Sequence, residues 1–350
     1  MRNETWKLVQ LPKGKTAISN KWVYKIKRNQ DGDIERFKAR LVIRGFTKKQ
    51  GIDYEETFSP VAKFTSIRTI LALSATLNYS LTQFDIKTAF LYGHLEEDIY
   101  MHQPIGYNDG CNNVCKLNRS LYGLKQASRC WNKRFTEILK KFEFKVSTAD
   151  SCVFTGEINK KKIILAIYID DGIIAAESKD VAEEFIRCLK CEFDVKVFSS
   201  LFYLGMEIIQ KSSKIFIRQT AYVKKVLQKF NMQDARPVST PAENVQTSSI
   251  KSNYVKFPYR EAIGSLMYLA IATRPDIAFA ISYFSRFMDS FNEEHVAGVK
   301  RIFKYLCGTI EQGIEFSKSN KLFLNCYSDS DYAGDTENRH STGGYALMLS

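Results

Sequence analysis

Nowhere in the 350 residues do apolar side chains continue for the 18 or so positions that a membrane-spanning helix needs, so no transmembrane segment is expected. The first residues, Met1-Arg2-Asn3-Glu4-Thr5-Trp6, have no apolar region that could act as a secretory signal, and the expected location is cytoplasmic. A disulfide framework is also lacking. The eight cysteines are scattered through apolar or helical contexts, and only Cys111/Cys115 and Cys188/Cys191 lie close in sequence. A zinc site would need a second pair in matching register, so reduced, structural thiols are expected instead. Negative charge is in deficit: 38 Asp and Glu face 51 Lys and Arg, a formal net charge of +13. This excess favours polyanionic partners. No basic amphipathic helix with an exposed apolar face stands out, which points to nucleic acid and away from a membrane surface. A hydrophobic content of 45% excludes a disordered chain, and the length allows two or three domains.

What is present centres on Tyr168-Ile169-Asp170-Asp171. The tetrapeptide ends the apolar run Ile163-Ile164-Leu165-Ala166-Ile167 and precedes Gly172-Ile173-Ile174-Ala175-Ala176. Two apolar runs joined through Asp-Gly read as a tight β-hairpin. Adjacent carboxylates at the tip of a buried hairpin are costly unless something neutralises them, and divalent metal ions would do so. A further carboxylate, Asp85, ends the strand-like stretch Leu81-Thr82-Gln83-Phe84-Asp85-Ile86. Three carboxylates on two neighbouring strands suffice for two metal ions about 4 Å apart, the arrangement that drives in-line phosphoryl transfer. Taken alone, Asp170, Asp171 and Gly172 are equally compatible with an ordinary turn.

Earlier in the chain, Trp22–Lys27, a turn over Gln30–Asp33 and Ile34–Phe46 form a second hairpin pattern. Alternation along its second strand puts Ala39, Leu41 and Ile43 on one side and Lys38, Arg40, Val42 and Arg44 on the other. A cationic face of this kind suits a triphosphate or a template backbone, or else simply faces water. Helices are expected from a Ser66 cap to about Leu77, over Ser128–Phe142, through Val181, Phe185, Leu189 and Phe193, and over Thr220–Phe230. Phe202–Ile208 and Ile215–Ile217 read as another hairpin, and 233–256 as a polar linker. Helices resume at about Tyr259–Ala272, Asp276–Phe287 and Glu293–Leu306, followed by strand patterns at Leu322–Tyr327 and Gly344–Leu349.

In this order the pieces resemble the reverse transcriptase region of a copia-type LTR retrotransposon Pol polyprotein. The resemblance runs through Trp6-Lys7-Leu8-Val9, Leu11-Pro12, Lys21–Lys27, Lys38-Ala39-Arg40-Leu41-Val42, Asp53–Val61, Phe84–Leu91 and Ser120–Ala127 to the Tyr168–Asp171 motif. It continues in Ile263–Leu269, Thr273–Ile277 and Lys304-Tyr305-Leu306. The resemblance implies an α+β fold: a right-hand polymerase with fingers and palm over 4–217, then thumb or connection helices over 218–312 with the polar linker at about 233–256. A truncated ribonuclease H-like α/β segment would occupy 313–350.

The implied activity is RNA-directed DNA synthesis on an RNA or DNA template with a primer, from dNTPs, with Mg2+ or with Mn2+ in its place, in a retrotransposon particle. Asp85, Asp170 and Asp171 would be the catalytic carboxylates and metal ligands. Lys38 and Arg40 resemble the cations that grip the triphosphate, and Phe90 the aromatic that blocks a ribose 2′-hydroxyl. Gly123 and Lys125 resemble the loop beside the incoming base, where Tyr122 stands in place of a retroviral glutamine. Tyr203, Leu204, Gly205 and Met206 resemble the primer grip. Lys196 lies where the family has a general acid, although Lys196-Val197-Phe198-Ser199 replaces its usual Lys-Asp-Leu-Gly. Asp329 resembles the first metal-binding aspartate of a ribonuclease H, whose other carboxylates would lie past Ser350. A second reading is a catalytically decayed nucleic-acid-binding relic of such an element.

Overall fold

A computed structural model describes residues 4–28, 33–47, 51, 54–211, 214–243, 256–319, 322–335 and 339–349. The expected turn over 30–33 falls, save for Asp33, outside these residues, as does the linker from 244 to 255. The chain forms two compact units. One comprises Met1–Lys63, Phe84–Ile174 and Lys179–Val197; the other comprises Phe64–Gln83, Ala175–Ser178 and Phe198–Ser350. Both mix helices with mainly antiparallel strands, the α+β class expected.

The first unit holds Phe84–Ile86, Asp171–Ile174 and the remaining strands of a six-stranded sheet in the order Val195–Val197, Ser80–Ile86, Asp171–Ala176, Lys161–Tyr168, Val153–Ile158, Lys145–Val146. Two amphipathic helices cover it. Ala127–Lys141 buries Trp131, Phe135, Ile138 and Leu139, and Lys179–Glu192 buries Val181, Phe185 and Leu189, each at the helical spacing read from the sequence. A four-stranded sheet, Trp6–Gln10, Asn113–Leu117, Tyr100–Met101 and Ala17–Ile18, packs its apolar side with Leu41 and Ile43 of the long hairpin Asn20–Arg28/Ile34–Ile43. None of the eight cysteines is in a disulfide. Burial pushes the thiols of Cys115 and Cys130 up to about 11 and that of Cys152 up to about 12, which leaves them protonated and inert.

The second unit combines the helix Phe64–Leu77, a four-stranded sheet and a helical cluster. Ser66 does not cap the first helix, which begins two residues earlier; Ile67, Ile70, Leu71 and Ser74 face inward as expected. The stretch read as one strand over 202–208 is two, Leu201–Tyr203 and Met206–Lys211, because the chain reverses at Leu204-Gly205. Lys214–Arg218 pairs on one side with Met206–Lys211 and on the other with Gly313–Ser317. Residues 313–317, expected to open the nuclease-like segment, therefore complete this sheet. Thr220–Lys229, Tyr259–Ala272, Ala278–Ser285 and Glu293–Gly308 pack Val223, Leu227, Ile263, Leu266, Ile281, Phe303 and Leu306 into a common core. The helix expected over Asp276–Phe287 is split into a 3-10 turn, Pro275–Ile277, and Ala278–Ser285. Leu324–Ser330 and Gly343–Leu349 form a two-stranded ribbon exposed on both faces.

Candidate active site

Asp85 and the Tyr168–Asp171 motif lie on neighbouring strands of the first unit's six-stranded sheet. The Ile86 amide donates to the Asp170 carbonyl at 2.8 Å, which holds the motif beside the Asp85 strand. The hairpin reverses at Ile169-Asp170, two positions before the expected Asp-Gly, and Asp171 opens the next strand. Gly172 is thus a strand residue. Its missing side chain leaves room for the Phe84 ring, with which any Cβ at that position would collide. At the turn Ile169 adopts φ 59, and the Trp131 indole donates to its carbonyl at 2.7 Å.

Asp85 is half-buried. Burial and then the negative charge of Asp170 raise its carboxyl above the usual range, while Lys38, Lys196 and Arg36 pull it back. Lys196 lies directly opposite Asp85 in the antiparallel pairing. Among the described residues no group of three or more His, Cys, Asp or Glu side chains is arranged to hold a metal ion. Asp170 thus lies close enough to raise the Asp85 carboxyl, and Asp171 follows it in the chain.

The long hairpin turns a cationic face to these carboxylates. Cross-strand register puts Lys21, Lys25, Lys27, Arg36, Lys38 and Arg40 on one side and Tyr24, Ile26 and Phe37 on the other. Burial, then Arg40, Arg36 and Lys27, lower the Lys38 ammonium, and Asp85 opposes them. The Arg40 guanidinium lies 5.0 Å above the Tyr122 ring, and Phe90 meets the same ring at 5.1 Å and 61°. Burial raises the Tyr122 phenol; Arg40 lowers it, and Asp170 and Asp85 raise it further. Lys38, Arg40, Phe90 and Tyr122 thus gather around the carboxylate pair.

Gly123, at φ 93, lets the backbone approach Ile43 so closely that a Cβ would strike the Ile43 carbonyl. The neighbouring Ile43 amide donates to the Tyr122 carbonyl at 2.8 Å. Lys125 turns elsewhere, donating to the Tyr54 hydroxyl at 3.1 Å.

Residues 3–244 match the family model described as "Reverse transcriptase (RNA-dependent DNA polymerase)". The chain belongs to this family. It is 43% identical over its full length to the Retrovirus-related Pol polyprotein from transposon TNT 1-94 of Nicotiana tabacum, and covers 27% of that protein. Over 99% of its length it is 39% identical to the corresponding polyprotein from transposon RE1 of Arabidopsis thaliana, covering 24% of it. The chain thus spans about a quarter of the length of these curated relatives. A foamy viral protease-reverse transcriptase in complex with dsDNA is similar to 98% of the chain at 11% identity, with a TM-score of 0.48 and 60% of that chain covered. Membership of the reverse transcriptase family, in its copia-type branch, agrees with the resemblance carried by the motifs.

In the second unit of this reverse transcriptase chain, Tyr203 and Met206 are fully buried. Between them Leu204 and Gly205 have φ 48 and 73, and the Tyr268 hydroxyl donates to the Leu204 carbonyl at 2.6 Å. Asp329 lies in the exposed ribbon opposite Gly344, its carboxylate accepting from the Ser330 amide at 2.9 Å. No described helix is long and apolar enough to cross a membrane. Sequence reasoning missed Arg36, which the period-two alternation through Lys38 and Arg40 could have found. It read Trp131 as a core residue, and nothing local marks either Trp131 or Tyr268 as a partner of a distant turn.

Proposed function

We propose that the chain is an RNA-directed DNA polymerase that adds dNTPs to a primer 3′-end on an RNA or DNA template. The observation that carries this reading is the Asp85–Asp170 pair on adjacent strands, faced by Lys38, Arg36 and Lys196. Two half-buried carboxylates close together, with oxygen as the only donor, suit a hard divalent cation such as Mg2+, or Mn2+ in its place. Asp85 and Asp170 would hold it, with Asp171 as the further carboxylate. When bound, such ions lower the pKa of the primer 3′-hydroxyl and neutralise triphosphate charge.

The remaining roles belong to the chain's own groups. Lys38 and Arg40 grip the triphosphate, and the Tyr122 ring orients the Arg40 guanidinium. Phe90, packed against Tyr122, closes the space that a ribose 2′-hydroxyl would need. The Gly123 contact fixes this loop to the cationic hairpin, and Lys125 extends the surface toward the template. Leu204 and Gly205 offer backbone groups to the primer end, with Tyr203 and Met206 as their buried support. Residues 4–217 supply fingers and palm and 218–312 the thumb or connection. The nuclease-like segment with Asp329 follows in 313–350, less its first strand. The setting is a retrotransposon particle. Primer extension by the purified chain tests the reading: Asp170→Asn is expected to abolish synthesis while template–primer affinity, which phosphate contacts dominate, is retained. Extension by Asp170→Asn at the unaltered rate, or none by the unaltered chain with either metal, would refute it; the latter result is what a decayed relic gives.

A further inference from the structure

Ile169 is a β-branched residue at φ 59, where its Cβ crowds the backbone and such residues are outliers. A conformation of this kind persists only where the surroundings impose it. Here two hydrogen bonds do so, one on each of two successive carbonyls. The Ile86 amide holds the Asp170 carbonyl, and the Trp131 indole holds the Ile169 carbonyl, the acceptor immediately before Asp170 in the chain. The indole N–H is a donor only, so the bond has one polarity and fixes which way that peptide faces. Trp131 itself has no freedom to turn away. It is 2% exposed and wedged among Phe135 at 5.4 Å, Phe193 at 5.3 Å and Tyr92 at 6.2 Å between ring centroids. A tryptophan present only to fill volume needs no bond to the one strained residue of the carboxylate turn.

We infer that Trp131 is a positioning residue for Asp170: its indole N–H holds Ile169 in the left-handed conformation and thereby aims the Asp170 carboxylate at Asp85. The inference rests on the polymerase reading. It extends that reading by assigning the geometry of the carboxylate pair to a side chain outside the motifs that bear charge.

Trp131→Phe keeps the ring and removes the donor. Misplacing a reacting group costs on the order of 10- to 100-fold, and kcat for primer extension should fall by about that factor. The Mg2+ concentration for half-maximal rate should rise, with KM for dNTP and template–primer affinity unchanged. Glycine adopts positive φ without a Cβ penalty, so adding Ile169→Gly to Trp131→Phe should recover most of the lost rate and metal response. A second readout uses the unaltered chain and serves if Trp131→Phe fails to fold. With 15N-labelled tryptophan, the Trp131 indole N–H resonance should shift on Mg2+ titration with the midpoint of the activity curve.

The inference is overturned by a folded Trp131→Phe chain with unaltered rate and metal dependence. A loss that Ile169→Gly does not relieve, or an indole resonance unmoved by Mg2+, overturns it equally. Should the unaltered chain extend no primer, the polymerase reading fails instead, and the indole titration alone decides the positioning role.

Discussion

Two tight turns, one in each unit, solve the same backbone problem with different second residues. Ile169-Asp170 and Leu204-Gly205 both open on an aliphatic residue at positive φ, 59 and 48, whose carbonyl accepts from an aromatic donor, Trp131 at 2.7 Å and Tyr268 at 2.6 Å. They part at the next position. Gly205 continues at φ 73, giving positive φ at both turn residues, the pattern that matches the twist of a two-residue hairpin. Asp170 does not. At the first turn strain therefore rests on Ile169 alone; at the second, glycine removes half of it. In each case a distant ring holds what the local sequence would not adopt.

Charge should separate the two turns most widely. Asp170→Asn is expected to cost several orders of magnitude in primer extension with little change in Tm, whereas Gly205→Ala should act chiefly on stability. A methyl there meets both positive φ and the Tyr268 hydroxyl, for about 2 kcal/mol or a Tm fall of roughly 4–8 °C. If thermal unfolding of Gly205→Ala matches the unaltered chain, the backbone account of that turn is wrong. Gly172→Ala should fall in the same range for a different reason, since its methyl overpacks against Phe84 in the core at a cost of about 1–3 kcal/mol. It should also lower kcat by displacing the strand beside Asp85, an effect that Gly205→Ala on template-saturated enzyme should lack.

A smaller change is expected from Tyr268→Phe, which removes one hydrogen bond worth about 1 kcal/mol. Its signature should be weaker primer binding at unchanged metal dependence, the reverse of Trp131→Phe. Equal metal responses in the two variants would erase the distinction between the turns.

The least effect should come from pH. Burial and Asp170 raise the Asp85 carboxyl, so the folded chain holds that proton more tightly than the unfolded one. Metal-free stability from this group is therefore greatest below the ordinary carboxylate range and declines as pH rises from the unfolded value through the raised folded one. Asp85→Asn should remove the decline, leaving the variant more stable than the unaltered chain at neutral pH in chelator. Mg2+ should stabilise the unaltered chain selectively. Parallel Tm–pH curves for the two chains would show that Asp85 bears no such cost.

Period and spacing made much of this legible before any coordinates. Trp131, Phe135, Ile138 and Leu139 are buried at helical intervals, and Val181, Phe185 and Leu189 likewise, because an amphipathic helix has one face to bury. Alternation likewise separated Leu41 and Ile43 from Lys38 and Arg40. Turn positions were less legible. The Asp-Gly signal placed the reversal two residues late, since Gly172 is required by Phe84, 88 positions away in the chain, and not by φ. The strand Gly313–Ser317 read as the start of a new segment because its partner, Lys214–Arg218, lies across the whole helical cluster in sequence.

By itself the sequence determined the family and the helical and strand faces, because motifs and periodicities are local records of chemistry and burial. Only the tertiary structure decided that Asp85 and Asp170 form a coupled pair, that Arg40 and Phe90 meet over Tyr122, and that Trp131 and Tyr268 hold two strained carbonyls. Hydrogen bonds and charge coupling act over a few ångströms of space whatever the separation along the chain, so no window of neighbouring residues contains them.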